Sequence, residues 1–316
     1  MSKKYPPLPN LDNADLRLLR VFMAVVRNRG FSAAQAELNI NQPTISVQMS
    51  QLEGRLRMRL CHRGRSGFKL TQEGEFVYEA TQRMFASIEQ FRSDIASSRG
   101  ELTGELHIGV VDAVATNDNL KLHQTIRSFN ESAKAVDLRV HIRSPQMLLR
   151  NLLEERIHIG IAPFSSVPQS IKLVKLHKET QVLYCSSSHE LFDIKDNELT
   201  IDAIAEFPYA ARNYLQNWSP PETSQFRTAA STGDMEAMLL YILSGRFIGY
   251  LPEHYAEPWV KSGKIKSLLK SSLSYKSQFF LASRNDEKNI VVLDFIEQFM
   301  QDIVQTRKSL KSVKSA

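Results

Sequence analysis

The 316-residue chain is 42% hydrophobic and 23% charged, as expected of a soluble globular protein, and its length suits about two or three domains. MSKKYPPLPN carries two lysines with no apolar core behind them, and no apolar run nears the roughly 18 residues of a membrane span, so neither a leader nor a membrane segment is expected and the protein reads as cytoplasmic. Residues 1–100 hold 15 Lys and Arg against 9 Asp and Glu, which is the whole net charge of +6; the remainder is neutral. A basic module on a neutral body suggests a polyanion-binding head, or else a solvated basic face.

The first predicted element is a helix over 15–29, where Leu16, Leu19, Phe22, Met23 and Val26 fall at helical spacing. A second helix is expected from Ser32, with Ser32 as N-cap and Gln35 completing a capping box. Asn39-Ile40-Asn41 breaks it, and Asn41 caps a third helix whose first turn tolerates Pro43. Ile45, Met49, Leu52 and Leu56 recur there at spacings of 4, 3 and 4, one buried stripe. Two short helices joined by a tight turn on a base of a third read as helix-turn-helix, and Ala33, Ala34 and Ala36 let the second helix lie close to its neighbours. The third helix then turns Gln42, Pro43, Ser46, Val47 and Ser50 outward. Glutamine pairs with adenine edges, serine serves either role, and a valine methyl touches a thymine methyl. Glu37 and Glu53 are the only acids between residues 31 and 72, which suits a phosphate-rich partner.

LCHRGRSGFKLT, residues 60–71, reads as a hairpin marked by Gly64 and Gly67, with Arg63, Arg65 and Lys69 available for phosphate or a minor groove. Residues 71–98 form one long helical pattern. Val77, Ala80, Met84, Ile88, Phe91 and Ile95 make a near-heptad seam, which wants a partner helix or packs on its own domain. SSRGELTG is the natural hinge.

Beyond it strands alternate with helices: ELHIGVV, a helix near 118–130, DLRVHIR, the helix PQMLLRNLLEER and IHIGIAPF. KLVKLHKETQVLYCSS reads as two strands. TIDAIAEF is helical, YAARN a strand, and Asp234 to Leu243 a helix; FIGYLP, KSQFFLAS and an amphipathic helix at about 290–306 close the chain, followed by a frayed basic tail. The alternation predicts a parallel-rich sheet, with any ligand beyond the strand carboxyl ends.

LRVFMAVVRNRGFSAAQAELNINQPTISVQMSQLEGRLRMRLCHR, KLTQEGE, GELHIGV, SPQMLLRNLLEERIHIGIA, HEL and SGRFIGYLP together resemble the LysR-type transcriptional regulators of bacteria over nearly the whole chain. The resemblance implies an overall α/β chain: a winged helix-turn-helix over 1–71, a dimerising linker helix over 72–98, a hinge at 99–103 and an effector domain over 104–316. That domain is like a type 2 periplasmic binding protein, with lobe I about 104–163 and 267–316 and lobe II about 164–266. It implies a dimer or tetramer on an interrupted palindrome of double-stranded DNA, a small-molecule effector, and contact with RNA polymerase. Carried over by position, Gln42, Pro43, Thr44, Ser46, Val47, Gln48 and Ser50 meet DNA, with Arg63, Arg65 and Lys69 in the wing. Val77, Met84, Ile88, Phe91 and Ile95 fall in the dimerising helix. Thr116, Asn117, Ser144, Gln146, Pro163, Phe164, Arg212, Asn213, Ser231 and Thr232 are the candidate effector residues. Four departures stand out: Val47 where the family often has Arg or Lys, Cys61 where it has Phe, VVDAVATND without the usual Leu-Leu-Pro, and Arg246 and Phe247 in SGRFIGYLP where a smaller pair is common.

Arg212 suits a carboxylate, giving a lean toward an organic anion, but also reads as a surface or lobe-bridging arginine. Ser144 and Gln146 also read as an N-cap pair. The eight histidines show no metal-ligand spacing, and no metal or cofactor is expected. Cys61 and Cys185 read as reduced structural thiols, Cys185 lacking a resolving partner in sequence. No G-x-S-x-G, Walker loop or strand-following G-x-G-x-x-G is present, so the expectation is a regulator rather than an enzyme. The alternatives are an enzyme with an accessory DNA-binding head, and an architectural DNA binder that ignores metabolites.

Overall fold

The computed structural model describes residues 10–62, 68–97, 101–213 and 221–313, and the chain divides into two compact units, Met1–Phe91 and Arg92–Ala316. The wing residues Arg63 and Arg65 lie outside the described residues.

The first unit opens with α1 (Asn13–Arg27), which Asp12 and Asp15 start as a reciprocal capping box. It is followed by α2 (Ala34–Leu38) and α3 (Gln42–Leu56). The expected capping box at Ser32 does not form: Ala33 occupies the N-cap position, without a side-chain bond. Ser32 and Gln35 are spent across the turn instead. The Ser32 hydroxyl donates to Gln42 Oε1 at 2.9 Å, and Gln35 Oε1 accepts from the Gln42 amide at 3.1 Å. Asn41 caps α3 as expected, accepting from the Thr44 amide at 3.0 Å. Ile45, Met49 and Leu52 join Phe22, Val25 and Leu60 in one core, each fully buried side chain contributing roughly 1.5–3 kcal/mol.

Strands β1 (Cys61–His62) and β2 (Lys69–Leu70) pair antiparallel as the wing, and α4 (Gln72–Ser97) leaves it. Gly74 is what lets α4 start there. A Cβ on it would lie 1.9 Å from the Leu60 carbonyl oxygen, so only glycine fits beside that backbone. Thr71 ties the junction. Its amide donates to Leu60 O at 3.0 Å, and its hydroxyl donates to Arg59 O at 2.6 Å and accepts from the Gly74 amide at 2.9 Å.

The second unit begins with β3 (Thr103–Val110), α5 (Leu122–Ser132), β4 (Ala135–Ile142), α6 (Pro145–Leu153) and β5 (Ile159–Ala162). A long β6 (Ile171–Ser186), α7 (Ile201–Ala205), β7 (Tyr209–Arg212), β8 (Thr228–Thr232), α8 (Met235–Leu243) and β9 (Ile248–Pro252) follow. The chain closes with α9 (Glu253–Lys261), β10 (Ile265–Ser267), α10 (Lys270–Leu273), β11 (Tyr275–Arg284) and α11 (Ile290–Val313). The sheet order is β4-β3-β5-β11-β6-β9-β7-β8, with β10 also on β6. It is mixed rather than parallel-rich. β3 pairs parallel with β4 and β5, and β7 with β8 and β9, but every contact of β6 and β11 is antiparallel.

The expected pair of strands in KLVKLHKETQVLYCSS is therefore one strand, β6. No turn former interrupts it, and β11 pairs along it from Ile171↔Arg284 to Gln181↔Tyr275 with one shift near Gln278. Because β6 and β11 are long, they cross from one core to two others. Ile171 and Leu176 of β6 and Phe279 and Leu281 of β11 belong to one core; Val182, Leu183 and Tyr275 belong to the others. The changeover thus falls inside the two strands, not at the expected boundaries 163/164 and 266/267. The expected frayed tail is also corrected: α11 runs on to Val313.

Candidate functional site

The outer face of α3 is built by elimination. With Ile45, Met49 and Leu52 turned into the core, the helix presents Ser46, Val47, Ser50 and Gln51 together as one shallow groove, and Val47 is 56% exposed. Pro43 and Gln42 are exposed at its start. Two expected contacts are partly committed elsewhere. Gln42 Oε1 is held by Ser32, and the Thr44 hydroxyl donates to Asn41 Oδ1 at 2.6 Å. Gln48 is half-buried, with its Oε1 buried and without a hydrogen-bond partner. Gln51 was missed by sequence reading, although it follows Val47 by one helical turn.

Neither acid of this stretch opposes a polyanion. Glu37 is tied to α1 by Arg27 and by Asn28, whose amide donates at 2.6 Å. Glu53 Oε1 accepts from the Leu60 amide at 2.8 Å and from the Cys61 amide at 3.4 Å, fastening the first wing strand to α3. Asp15, 2% exposed, pairs with Arg55. Burial alone would raise its carboxyl, but the Arg55 hydrogen bond, the Asp12 amide and the Arg55 charge hold it below the ordinary value. Lys69 is exposed on the second wing strand.

In the second unit a buried polar network gathers where β6 crosses between the cores. His177, Glu179 and Gln181 alternate onto one face of that strand. Glu179 accepts from Asn117 Nδ2 at 3.0 Å and from Gln181 Nε2 at 2.5 Å, and its Oε1 meets His254 Nε2 at 2.8 Å. Asn117 Nδ2 also meets His177 Nε2 at 2.9 Å, and Thr116 Oγ1 meets His254 Nδ1 at 2.8 Å. At the other end Arg212, buried, donates to Gln181 Oε1 at 2.8 Å. Asp112, two residues past β3, accepts from the amide of Met235, the first residue of α8. Burial raises the Asp112 carboxyl above its usual range, outweighing the Met235 hydrogen bond and the nearby Arg212 charge. Tyr275 sits among these groups: burial raises its phenol, with Arg212 lowering and Glu179 raising it further.

The model for the LysR substrate binding domain matches residues 99–303, and that for the bacterial regulatory helix-turn-helix protein, lysR family, matches residues 16–75. The chain belongs to the LysR-type transcriptional regulator family. The HTH-type transcriptional activator BauR of Pseudomonas aeruginosa is 34% identical to it over 92% of this chain and 96% of the relative. The HTH-type transcriptional regulator CzcR of Bacillus anthracis is 24% identical, over 79% and 84% of the two chains. Full-length CbnR in complex with its target DNA shares the fold with a TM-score of 0.64 at 20% identity, covering 90% of this chain and 99% of that one. These relatives are named as transcriptional regulators, and this LysR-type chain is one too rather than an enzyme.

The LysR-type body collects only part of the expected effector set. Thr116, Asn117 and Arg212 enter the network, and Thr232 lies buried at the end of β8, its hydroxyl accepting from the Asp234 amide at 3.1 Å. Asn213 and Ser231 are exposed beside it. Ser144 stands at the N-cap position of α6 without a side-chain cap bond, and Gln146 is exposed. Phe164 packs in the core, its ring 3.1 Å from where a Cβ on Gly160 would stand, and Pro163 beside it is buried. Sequence reading missed Asp112, Glu179, Gln181 and His254. The alternation of His177, Glu179 and Gln181 was the one local signal for the middle pair.

The α4 seam divides. Val77 and Met84 pack, partly buried, against the head's own core beside Tyr78 and Phe85; Ile88 is half-buried; Phe91 and Ile95 are 65% and 43% exposed. Packing on its own domain thus accounts for the first half of the seam. No helix among the described residues is long and apolar enough to cross a membrane.

Proposed function

We propose that this LysR-type chain is a cytoplasmic, sequence-specific regulator whose DNA binding responds to a small molecule held where its two lobes meet. The observation that carries the reading is the polar network at the crossover of β6. Buried polar groups cost stability unless paired, and these are gathered from elements of both lobes at one place. A ligand competing for them acts on both lobes at once. Arg212 and the amide end of α8 favour a ligand that carries a carboxylate.

In this reading the groove of Ser46, Val47, Ser50 and Gln51 reads bases, joined by Gln42, Pro43, Thr44 and Gln48 at its margins. Lys69, with Arg63 and Arg65 beyond the described residues, holds phosphate. Phe91 and Ile95, with Ile88, supply a homodimer contact along α4, and two dimers on an interrupted palindrome form the tetramer that meets RNA polymerase.

The test is fluorescence anisotropy of the full chain on DNA flanking its own gene against scrambled DNA, over a salt series, with and without a metabolite panel. Selective binding that one metabolite alters is expected. Salt-steep binding with no sequence preference and no metabolite effect overturns the reading in favour of an architectural protein. Turnover of a panel compound overturns it in favour of an enzyme.

A further inference from the structure

Glu179 and Arg212 are both buried, and they carry opposite charges close to one another. The expected economy is direct pairing, since an ion taken from water is costly unless an opposite charge meets it. They do not pair directly. Gln181 stands between them, its amide nitrogen on Glu179 at 2.5 Å and its amide oxygen on Arg212 at 2.8 Å. The two charges are held one amide apart, and both act on the phenol of Tyr275, whose backbone lies opposite Gln181 in the sheet.

The two ends differ in what they attract. At the Glu179 end the carboxylate receives side-chain amides and an imidazole, all groups that an ammonium can replace as donors. At the Arg212 end the guanidinium donates to Gln181 Oε1 at 2.8 Å, Met235 Sδ at 2.7 Å and the Tyr250 carbonyl at 3.5 Å, and a carboxylate of the chain lies nearby. Asp112 sits on the first amide of α8, within the field of Arg212. Among the described residues, Asp112, Asp234 and Glu179 outnumber the Arg212 guanidinium here, so a simple anion added would raise an existing excess of negative charge. A molecule bearing both signs would not.

We infer that the ligand received at this network is a free amino acid, its ammonium received by Glu179 and its carboxylate by Arg212 and the amide end of α8, where it displaces Asp112. This rests on the proposed function above and narrows it. Displacing Asp112 breaks a contact between the segment after β3 and the start of α8, so binding is coupled to the relation of the two lobes.

The test is calorimetric titration of the full chain with four sets of compounds: short amino acids with the amine at either end of the chain, their N-acetyl forms, their methyl esters, and the parent carboxylic acids. At least one free amino acid is expected to bind, with each blocked form about tenfold or more weaker, since each loses a charged hydrogen-bonding group. Glu179→Gln should reduce the preference for that amino acid over its parent acid by about tenfold or more. A loss of packing alone would weaken both compounds together and leave the preference unchanged. If Glu179→Gln fails to fold, Glu179→Asp keeps the charge and should keep the preference. Parent acids binding as tightly as the amino acids would overturn this inference while leaving a ligand-responsive regulator intact. Binding by none of the sets would overturn it outright, and anisotropy on DNA would then show whether the regulator reading fails with it.

Discussion

Adding one methyl group at either of two glycines should move the stability of the head in opposite directions. A Cβ at Gly74 would stand 1.9 Å from the Leu60 carbonyl oxygen and 2.8 Å from the Leu60 carbonyl carbon. An ordinary close C···O contact is about 3.3 Å, so α4 must withdraw by more than about 1 Å. That strains the bond from the Thr71 amide to Leu60 O, 3.0 Å, and the bond from the Gly74 amide to the Thr71 hydroxyl, 2.9 Å. Overpacking costs about 1–3 kcal/mol and each lost hydrogen bond about 1 kcal/mol, against about 0.5–1 kcal/mol gained from alanine in a helix. Gly74→Ala should therefore destabilise the head by about 2–4 kcal/mol. At Gly54, on the exposed side of α3, a Cβ meets nothing within 4 Å. Gly54→Ala should stabilise by about 0.5–1 kcal/mol. Hydrogen exchange of residues 16–62 in the full chain reads both. Gly74→Ala should speed exchange of the core amides roughly 30- to 700-fold, and Gly54→Ala should slow it. Unchanged protection in Gly74→Ala would refute the close approach of α4 to the wing strand.

Four further outcomes are expected. Burial, with repulsion from His107 and Arg284, lowers the His158 pKa to about 4 from an ordinary 6.5, although Glu105 opposes the shift. The unfolded chain then takes up the proton first, so stability should fall as pH drops from 6.5 towards about 4, and His158→Gln should reduce that slope in urea unfolding at stepped pH; an equal slope in both chains sinks the assignment. Burial pushes the Cys185 thiol up to about 12, so iodoacetamide should leave it unmodified in the native protein at neutral pH and label it after denaturation; native labelling would contradict its burial. Phe91→Lys with Ile95→Lys should lower the mass found by sedimentation, whereas Val77 and Met84 substitutions should chiefly lower head stability; an unchanged oligomer would place the contact elsewhere. Val47→Ala should weaken binding to the specific site more than to random DNA, by up to about 1–3 kcal/mol, while Lys69→Ala should weaken both and flatten the salt dependence; the reverse pattern would exchange their roles.

What was legible in the chain was whatever repeats over a few residues. The apolar spacing of Ile45, Met49 and Leu52 located α3 and its outer face, because a helix turns side chains in and out with its own period. Asn41 and Pro43 marked its start for equally local reasons. The α4 seam was visible for the same reason, but not which half faces the head, since that depends on where the core of α1 and α3 lies. Ser32 and Gln35 satisfied the local pattern of a capping box and were diverted to Gln42, a partner made available only by the turn. The division of KLVKLHKETQVLYCSS failed because strand continuity is decided by the partner strand, and β11 spans the middle of the segment. The polar network on β6 lay furthest from sequence reading: Thr116 meets His254 across 138 residues, and Asn117 meets Glu179 across 62. No local period connects such residues. They meet because two crossing strands carry one sheet from one core to two others, and burial there requires each polar group to find a partner within hydrogen-bonding reach.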